Sequence, residues 1–315
     1  WKVDLNNRKG LPLTDMIIAA DRQQLQAMYV VGENPLMSEP NLEHTRQAMA
    51  KLRFLVVQDI FLTETAMLAD VVLPAASFAE KNGTFTNTER RVQLVRQVLD
   101  PVGTARADWQ IIAELSSRMG YAMSYANSSA IMKEIAGLTP IYGGISHRRL
   151  ECVDGLQWPC WDNRHGGTPR LHEKKFTRGK GKFHAVTYKA PAETTSMAFP
   201  MVLTTGRVLE HFHTGTMSRR SRVLDTLEPR GHIDMCQEDA DTIGVHSDDF
   251  LQVTSPRGEI VVQVRIDNKV PRGTAFMAFH WREAPANILT NEALDPTARI
   301  PEYKVSSIRI QKAEV

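Results

Sequence analysis

Cysteine is scarce in this chain: the 315 residues include three, at Cys152, Cys160 and Cys236, and no two of them form a C-x-x-C pair. Such a sparse, odd set argues against a disulfide framework and against a zinc or iron–sulfur site held within these residues. An excess of one charge is also absent, because 38 Lys and Arg face 36 Asp and Glu, for a net charge of +2. A general affinity for nucleic acid or for a membrane surface is therefore not expected.

Long apolar runs and the common nucleotide motifs are missing as well. No run approaches the roughly 20 apolar residues that span a bilayer, and no signal-peptide pattern opens the chain, so we expect a soluble, cytoplasmic protein. The sequence contains no G-x-G-x-x-G and no G-x-x-x-x-G-K, which argues against an ordinary NAD site or P-loop. It begins at Trp1 rather than at Met, which fits a fragment or a processed chain.

Residues 1–195 predict an α/β domain. Helical and strand-like patterns alternate here, with helices expected at 14–24 and 41–52 and strands at 27–31, 54–57 and 70–73. This alternation indicates a parallel sheet flanked by helices.

Ligands of such sheets lie beyond the carboxyl ends of the strands. Gly32 and Asn34 follow the first strand, and Asp59 follows the second. Asp59 is placed to accept from a ribose hydroxyl or from the N–H edge of a guanine. It is equally suited to be the N-cap of a helix expected at 61–68, and both interpretations stay open.

The middle of the chain offers weaker signals. Residues 80–93 predict a glycine turn followed by two short polar strands, and Asp108 is a good N-cap for an amphipathic helix at 109–119. Residues 164–189 carry eight Lys or Arg against one Glu and include a strand-like run at 183–188. This basic connection is either a site for nucleic acid or an acidic partner, or a solvated link between domains. We predict that it binds no nucleic acid.

Residues 196–315 predict a compact β-barrel, because short strands replace the helix–strand alternation. The strands are expected at 201–203, 232–235, 250–254, 259–265, 275–279 and 305–310, and a short helix at 237–243. The first strand leads into a polar cluster within Leu203–Arg222, which concentrates arginines and histidines beside Gly206 and Gly215. Arginine grips phosphate through a fixed fork of N–H groups, and histidine donates to or accepts from a heterocycle edge.

The cluster GRVLEHFHTGTMSRR, the segment GENP near the start and IPEYK near the end carry a family resemblance. The chain resembles the C-terminal half of formate dehydrogenase catalytic subunits, which are molybdopterin oxidoreductases related to dimethyl sulfoxide reductase. The similarity runs from about Thr14 to the C-terminus. It implies that the barrel is a double-psi β-barrel and that the chain holds part of the site for two molybdopterin guanine dinucleotides around Mo or W. The cofactor-binding residues that we expect are Gly32, Asn34, Asp59, Asp108, Arg207, Val208, His211, His213, Thr214, Asn287, Tyr303 and Lys304.

The same resemblance assigns finer roles. It implies that Asp108 reaches a guanine and that Lys304 neutralises a phosphate. It also implies that Gly83, Thr84 and Asn87 lie near the pterin system or between domains, although a plain hairpin explains these three equally well.

The implied reaction is the oxidation of formate to CO₂, or its reverse. We expect the residue that ligates the metal and a 4Fe–4S cluster to lie in an N-terminal half of the same subunit, so no catalytic residue is assigned here and the chain alone is expected to be inactive. Other implied partners are iron–sulfur subunits and subunits that pass electrons to NAD or another acceptor. Three alternatives are a reductase of nitrate or another oxo-anion, a non-catalytic subunit of the type found in respiratory complex I, and a cofactor-free α/β domain joined to a barrel.

Overall fold

The computed structural model describes Trp1 and residues 3–314, and these residues form two compact units. One unit combines residues 1–57, 61–72 and 189–315, and the other combines residues 58–60 and 73–188. The units are therefore not consecutive pieces of sequence. The change of pattern between residues 195 and 196 stays a prediction of where one domain ends and the next begins.

A three-stranded parallel sheet and its helices occupy the first third of the chain, which confirms the α/β prediction. The strand order is β1-β2-β3. Apolar side chains of β1, β2 and the helices share one core, which includes Ile17, Val30, Met49 and Val57. The elements are α1 (Leu13–Asp21), β1 (Ala27–Val31), α2 (Pro35–Ser38), α3 (Leu42–Ala50), β2 (Phe54–Asp59), α4 (Glu64–Leu68) and β3 (Val71–Pro74).

The start of α4 decides one of the open alternatives for Asp59. The helix begins at Glu64 rather than at residue 61, and its N-cap is Thr63, whose hydroxyl accepts from the Ala66 N–H at 3.1 Å. Asp59 lies four residues before this cap, too far away to act as the cap itself. The N-cap interpretation of Asp59 is therefore wrong.

The middle of the chain forms a small antiparallel sheet and three helices. Strands β4 (Gly83–Thr86) and β5 (Arg91–Val95) confirm the predicted hairpin, and β6 (Leu156–Gln157) pairs with β5. The helices are α5 (Asp108–Arg118), α6 (Ser128–Leu138) and α7 (His147–Leu150).

Two predictions in this region are wrong. Asp108 is the first residue of α5 rather than its N-cap, because the side chain of Gln110 accepts from the N–H of Ala107 and makes Ala107 the cap. Residues 183–188 form no strand. The side chains of Phe183, Val186 and Tyr188 are almost fully exposed, and no strand in the described part of the chain pairs with this segment. An alternating pattern forms a strand only where a neighbour supplies the ladder of hydrogen bonds.

The C-terminal strands close into a six-stranded barrel in the order β10-β8-β11-β7-β12-β9, which confirms the predicted barrel. Its interior is filled by aliphatic side chains such as Leu203, Ile233, Val253 and Met277. The elements are β7 (Met201–Gly206), α8 (Arg222–Leu227), β8 (His232–Met235), α9 (Gln237–Ile243), β9 (Phe250–Ser255), β10 (Gly258–Ile266), β11 (Thr274–Ala278) and β12 (Ser306–Lys312).

One strand pair of the barrel positions the polar cluster. Strands β7 and β11 run parallel, with Gly206 opposite Ala278 at their carboxyl ends. The loops that follow both strands therefore leave the barrel at the same edge.

Candidate cofactor-binding site

A buried histidine joins the loops that follow β7 and β11. His280 stands two residues after the end of β11, and its Nε2 accepts from the Val208 N–H at 3.1 Å. Its Nδ1 lies 2.5 Å from the His213 carbonyl oxygen, which only accepts, so Nδ1 is the donor. The ring is 1% exposed, and burial lowers the pKa of His280. Both observations describe a neutral imidazole protonated on Nδ1. The sequence patterns did not predict this role of His280.

His211 is also buried, and both of its ring nitrogens have protein partners. Nε2 donates to the Glu228 carbonyl at 2.7 Å, and Nδ1 lies 3.3 Å from the Ser218 hydroxyl, which itself accepts from the Phe212 N–H. The edge of this ring packs against Trp281. The hydrogen bonds of His211 thus hold the Glu228 backbone and the Ser218 side chain in place.

A polar cavity of about 170 Å³ lies beside these loops. The backbone of Gly215 lines one wall at φ +74°, and a Cβ there would stand 2.4 Å from the His280 carbonyl oxygen, so only glycine fits. The buried hydroxyl of Thr214 lies 2.8 Å from that of Thr216. Three guanidinium groups outnumber the two lining carboxylates, Glu64 and Glu283, which pair with Arg282 and Arg219, and with the hydroxyls they make the cavity suitable for an anion. The lining residues are Met37, Glu64, Thr214, Gly215, Thr216, Arg219, Arg220, His280, Arg282 and Glu283.

Two of the predicted residues meet on the backbone of α2. Asn287 donates to the carbonyls of Met37 and Ser38 at 3.0 and 3.1 Å, and the Tyr303 hydroxyl donates to the Ser38 carbonyl at 2.8 Å. The Oδ1 of Asn287 is buried without a hydrogen-bond partner. An unpaired buried acceptor costs about 1–3 kcal/mol, which makes this oxygen a candidate contact for a ligand N–H.

Glu39 follows directly and was not predicted. It is buried, and burial together with the nearby Glu33 carboxylate raises its pKa to about 7. Burial, with a smaller effect of Glu39, also raises the pKa of Tyr303 above its usual range. Tyr303 is therefore a neutral hydrogen-bond donor at physiological pH.

The remaining predicted residues of the barrel surround the end of β7. Lys304 donates to the Thr205 carbonyl, and the Thr205 hydroxyl donates to the Tyr303 carbonyl. The guanidinium of Arg207 lies over the ring of Phe279, 5.4 Å from its centroid. His213 has a positive φ of 50°, and the edge of its ring also faces Phe279.

Gly32 and Asn34 follow β1 as predicted. Gly32 has a φ of +63° with open space where a Cβ would stand. The Asn34 oxygen accepts from the backbone N–H and the hydroxyl of Thr65, and its nitrogen donates to Glu64 at 2.8 Å. Asn34 thereby positions the side chain of Glu64, which is one of the residues that line the polar cavity.

Asp59 and Asp108 belong to the other compact unit. Asp59 is buried at the end of β2. One Asp108 oxygen accepts from Gln58 at 2.8 Å, and the other pairs with Lys81. Asp108 also lines a largely apolar cavity of about 230 Å³. Aromatic and aliphatic side chains supply most of the other walls, namely Phe78, Phe85, Val95, Trp109, Ile131, Met132 and Ile135.

Two family models match the chain in these regions. Residues 2–118 match the molybdopterin oxidoreductase family, and residues 201–307 match the molydopterin dinucleotide binding domain. The second match contains barrel strands β7 to β11, the start of β12 and the loops that follow β7 and β11. The chain belongs to the molybdopterin oxidoreductases.

Curated members of the family agree with this assignment. The chain is 46% identical, over 99% of its length, to the F420-dependent formate dehydrogenase subunit alpha of Methanocaldococcus jannaschii, of which it covers 47%. It is 34% identical, over 96% of its length, to the assimilatory nitrate reductase catalytic subunit of Bacillus subtilis, of which it covers 44%. The chain thus spans about half the length of these relatives.

A solved structure shows the same fold. Acetylene hydratase from Pelobacter acetylenicus superposes with a TM-score of 0.75 over 95% of this chain and 46% of that chain, at 18% sequence identity. Among Trp1 and residues 3–314, no helix is long and apolar enough to cross a membrane. The described residues also contain no group of three or more His, Cys, Asp or Glu that could hold a metal ion.

The residues present fit the cofactor of this family. The cavity offers cations and hydroxyls to a pyrophosphate, and the buried Asn287 oxygen offers an acceptor to an N–H edge. Guanine and pterin rings both carry such N–H donors. The fit concerns binding alone, because the described groups supply no metal-ligating cluster.

Proposed function

We propose that this chain is the cofactor-clamping half of an oxidoreductase that interconverts formate and CO₂. The cofactor would be a pair of molybdopterin guanine dinucleotides that carry Mo or W, and when bound it supplies the redox chemistry. The observation that carries the proposal is the arginine-lined cavity at the joined ends of β7 and β11, most of whose lining residues belong to the segment that matches the dinucleotide-binding family. The choice of formate rests on the relatives named as formate dehydrogenases.

This chain's own residues would bind and orient the dinucleotides. The arginines and threonines of the cavity would pair with pyrophosphate oxygens, and Arg207 with Lys304 would add positive charge at the end of β7. The Asn287 oxygen would accept from an N–H edge of the cofactor. Asp108 would accept from the N1–H and N2–H₂ of a guanine, as a two-oxygen acceptor does.

The other components are proposed to lie outside this chain. They are the metal's protein ligand, a 4Fe–4S cluster, and subunits that carry electrons to an acceptor such as NAD or F420. The relative named as an F420-dependent enzyme favours F420 as the acceptor.

The binding role is tested by Arg207→Ala in the native enzyme, with guanine nucleotide measured after acid release. Loss of a charge-assisted contact costs about 1.5–3 kcal/mol, so retention should fall roughly 10- to 100-fold. Arg272→Ala is the matched control, because the Arg272 side chain is 72% exposed and pairs only with the equally exposed Glu238 among the described residues. Equal nucleotide content in the Arg207 variant and the wild type would contradict the role of Arg207.

A second function is favoured by the nitrate reductase relative. The two are separated by assaying the native enzyme with formate and an artificial electron acceptor, and with nitrate and an artificial donor. Turnover of nitrate without turnover of formate would replace the first proposal with the second.

A further inference from the structure

His280 contacts three parts of the polar site, namely the backbone at Val208, at His213 and at Gly215. Its nitrogens bond to the backbone at Val208 and at His213, and its own carbonyl packs against Gly215. It follows β11 at the same distance at which Val208 follows β7, and the parallel register of these strands brings the two residues side by side. The contact is thus a product of the barrel's topology.

We propose that His280 is the positioning residue of the dinucleotide site, a neutral imidazole that holds the Val208 and His213 loops in the spacing the cofactor requires. This inference rests on the proposed function. His280 itself is not a cofactor ligand in this proposal, since both of its ring nitrogens are already bonded to the protein.

The geometry of the two loops explains why a single ring is needed. His213 adopts a left-handed backbone conformation at φ +50°, which is uncommon for residues other than glycine. The hydrogen bond to its carbonyl stabilises this conformation and turns the chain toward Thr214 and Gly215, which line the cavity. The second hydrogen bond fixes the backbone next to Arg207. Losing either bond would leave a loop free to change the shape of the cavity.

The charges around His280 favour the neutral form. Burial opposes a positive charge on its ring most strongly and lowers its pKa, and His211, Arg207 and His213 act in the same direction. Only the bond to the His213 carbonyl favours protonation. A doubly protonated ring would also lose the bond from Val208, because Nε2 would carry a proton of its own.

The test compares two substitutions in the native enzyme, with retained guanine nucleotide as the first measurement. His280→Gln keeps one donor and one acceptor and should retain nucleotide within about threefold of the wild type. His280→Phe keeps a ring but loses both hydrogen bonds, and retention should fall at least about tenfold. Ile310→Ala, a buried change in β12, controls for lost barrel stability and should leave retention unchanged at a temperature where all variants are folded.

A spectroscopic measurement tests the geometry without activity. In enzyme labelled with ¹⁵N-histidine, the His280 signal should show a proton on Nδ1 and none on Nε2 at neutral pH, and its pKa should lie below that of an exposed histidine. A proton on Nε2 at neutral pH would overturn the proposal. So would a Phe variant that retains as much nucleotide as the wild type, and this result would leave the proposed function standing. Wild-type enzyme without any guanine nucleotide would instead overturn the proposed function, and the inference with it.

Discussion

At the scale of single residues, the site contains buried polar groups, and for His280 and Glu39 the surroundings favour the neutral form. His211 donates through Nε2 to the Glu228 carbonyl and His280 donates through Nδ1 to the His213 carbonyl, so the two rings support one loop region through different nitrogens. Glu39 differs from both, because a buried carboxyl close to Glu33 gains stability by holding its proton.

Glu39 predicts an unusual dependence of stability on pH. Its pKa rises from 4.5 to about 7 on folding, so the folded state holds more protons between these values and the free energy of unfolding falls as pH rises through this window. The loss reaches about 3 kcal/mol at most. Glu39→Gln should remove this dependence and make the protein more stable than the wild type at pH 8. Urea denaturation at pH 5 and pH 8 measures both effects.

Glu33→Gln provides the matched control for this prediction. It removes the like charge but leaves Glu39 buried, so the pH dependence should become weaker without disappearing. The same difference in stability between pH 5 and pH 8 in the wild type and in Glu39→Gln would show that Glu39 titrates normally.

At the scale of elements, the barrel is the part whose packing carries the site. Leu203 of β7 is fully buried beside Ala275 of β11 in the barrel core, and β7 ends directly in the polar loop. A cavity at this position would weaken the strand that aligns Val208 with His280.

Leu203→Ala should therefore lower the free energy of unfolding by about 2–5 kcal/mol. Val261→Ala lies in the same barrel, but its side chain is 53% exposed and should change stability by no more than about 0.5 kcal/mol. Chemical denaturation of both variants measures the difference. Equal midpoints would mean that the barrel core tolerates the cavity by collapsing around it.

The elements also show how far sequence patterns reach. The barrel strands were predictable because alternating apolar residues face a single core, as in Leu251 and Val253. The run at 183–188 has a similar alternation but no pairing strand. The prediction of a strand there failed because local sequence does not determine which segments pair. Helix α6 was missed within a stretch where punctuation by glycine and proline obscured the apolar spacing.

The role of His280 was not predictable for a different reason. Its partners at Val208 and His213 lie about 70 residues away in the sequence, and only the parallel strands bring them near.

At the scale of the whole molecule, the described residues offer groups suited to binding a cofactor, and they contain no cluster of three or more His, Cys, Asp or Glu that could hold a metal ion. Cys152 is exposed, Cys160 and Cys236 are buried, and none belongs to a metal-ligating group among the described residues. Binding and chemistry are therefore expected to reside in different parts of the enzyme.

We predict that these 315 residues, purified without further polypeptide, do not oxidise formate. The assay measures the reduction of an artificial acceptor by formate, alongside the Mo and W content of the same sample. The native enzyme is the positive control. Turnover by the chain alone that rises with its metal content would mean that one of its own side chains completes the metal site.

The division of the chain into compact units has a consequence for biosynthesis. Residues 1–57 share a unit with residues 189–315, and contacts such as Asp15 with Arg299 and Met37 with Asn287 cross this interval. At about 5–20 residues per second, a ribosome needs roughly 7–26 s to translate the intervening segment. Residues 1–57 are therefore synthesised that long before the residues of the barrel that contact them. Nascent chains stalled before residue 189 should therefore leave this surface open to chaperones, and translation must pass Asn287 and Arg299 before these contacts can form.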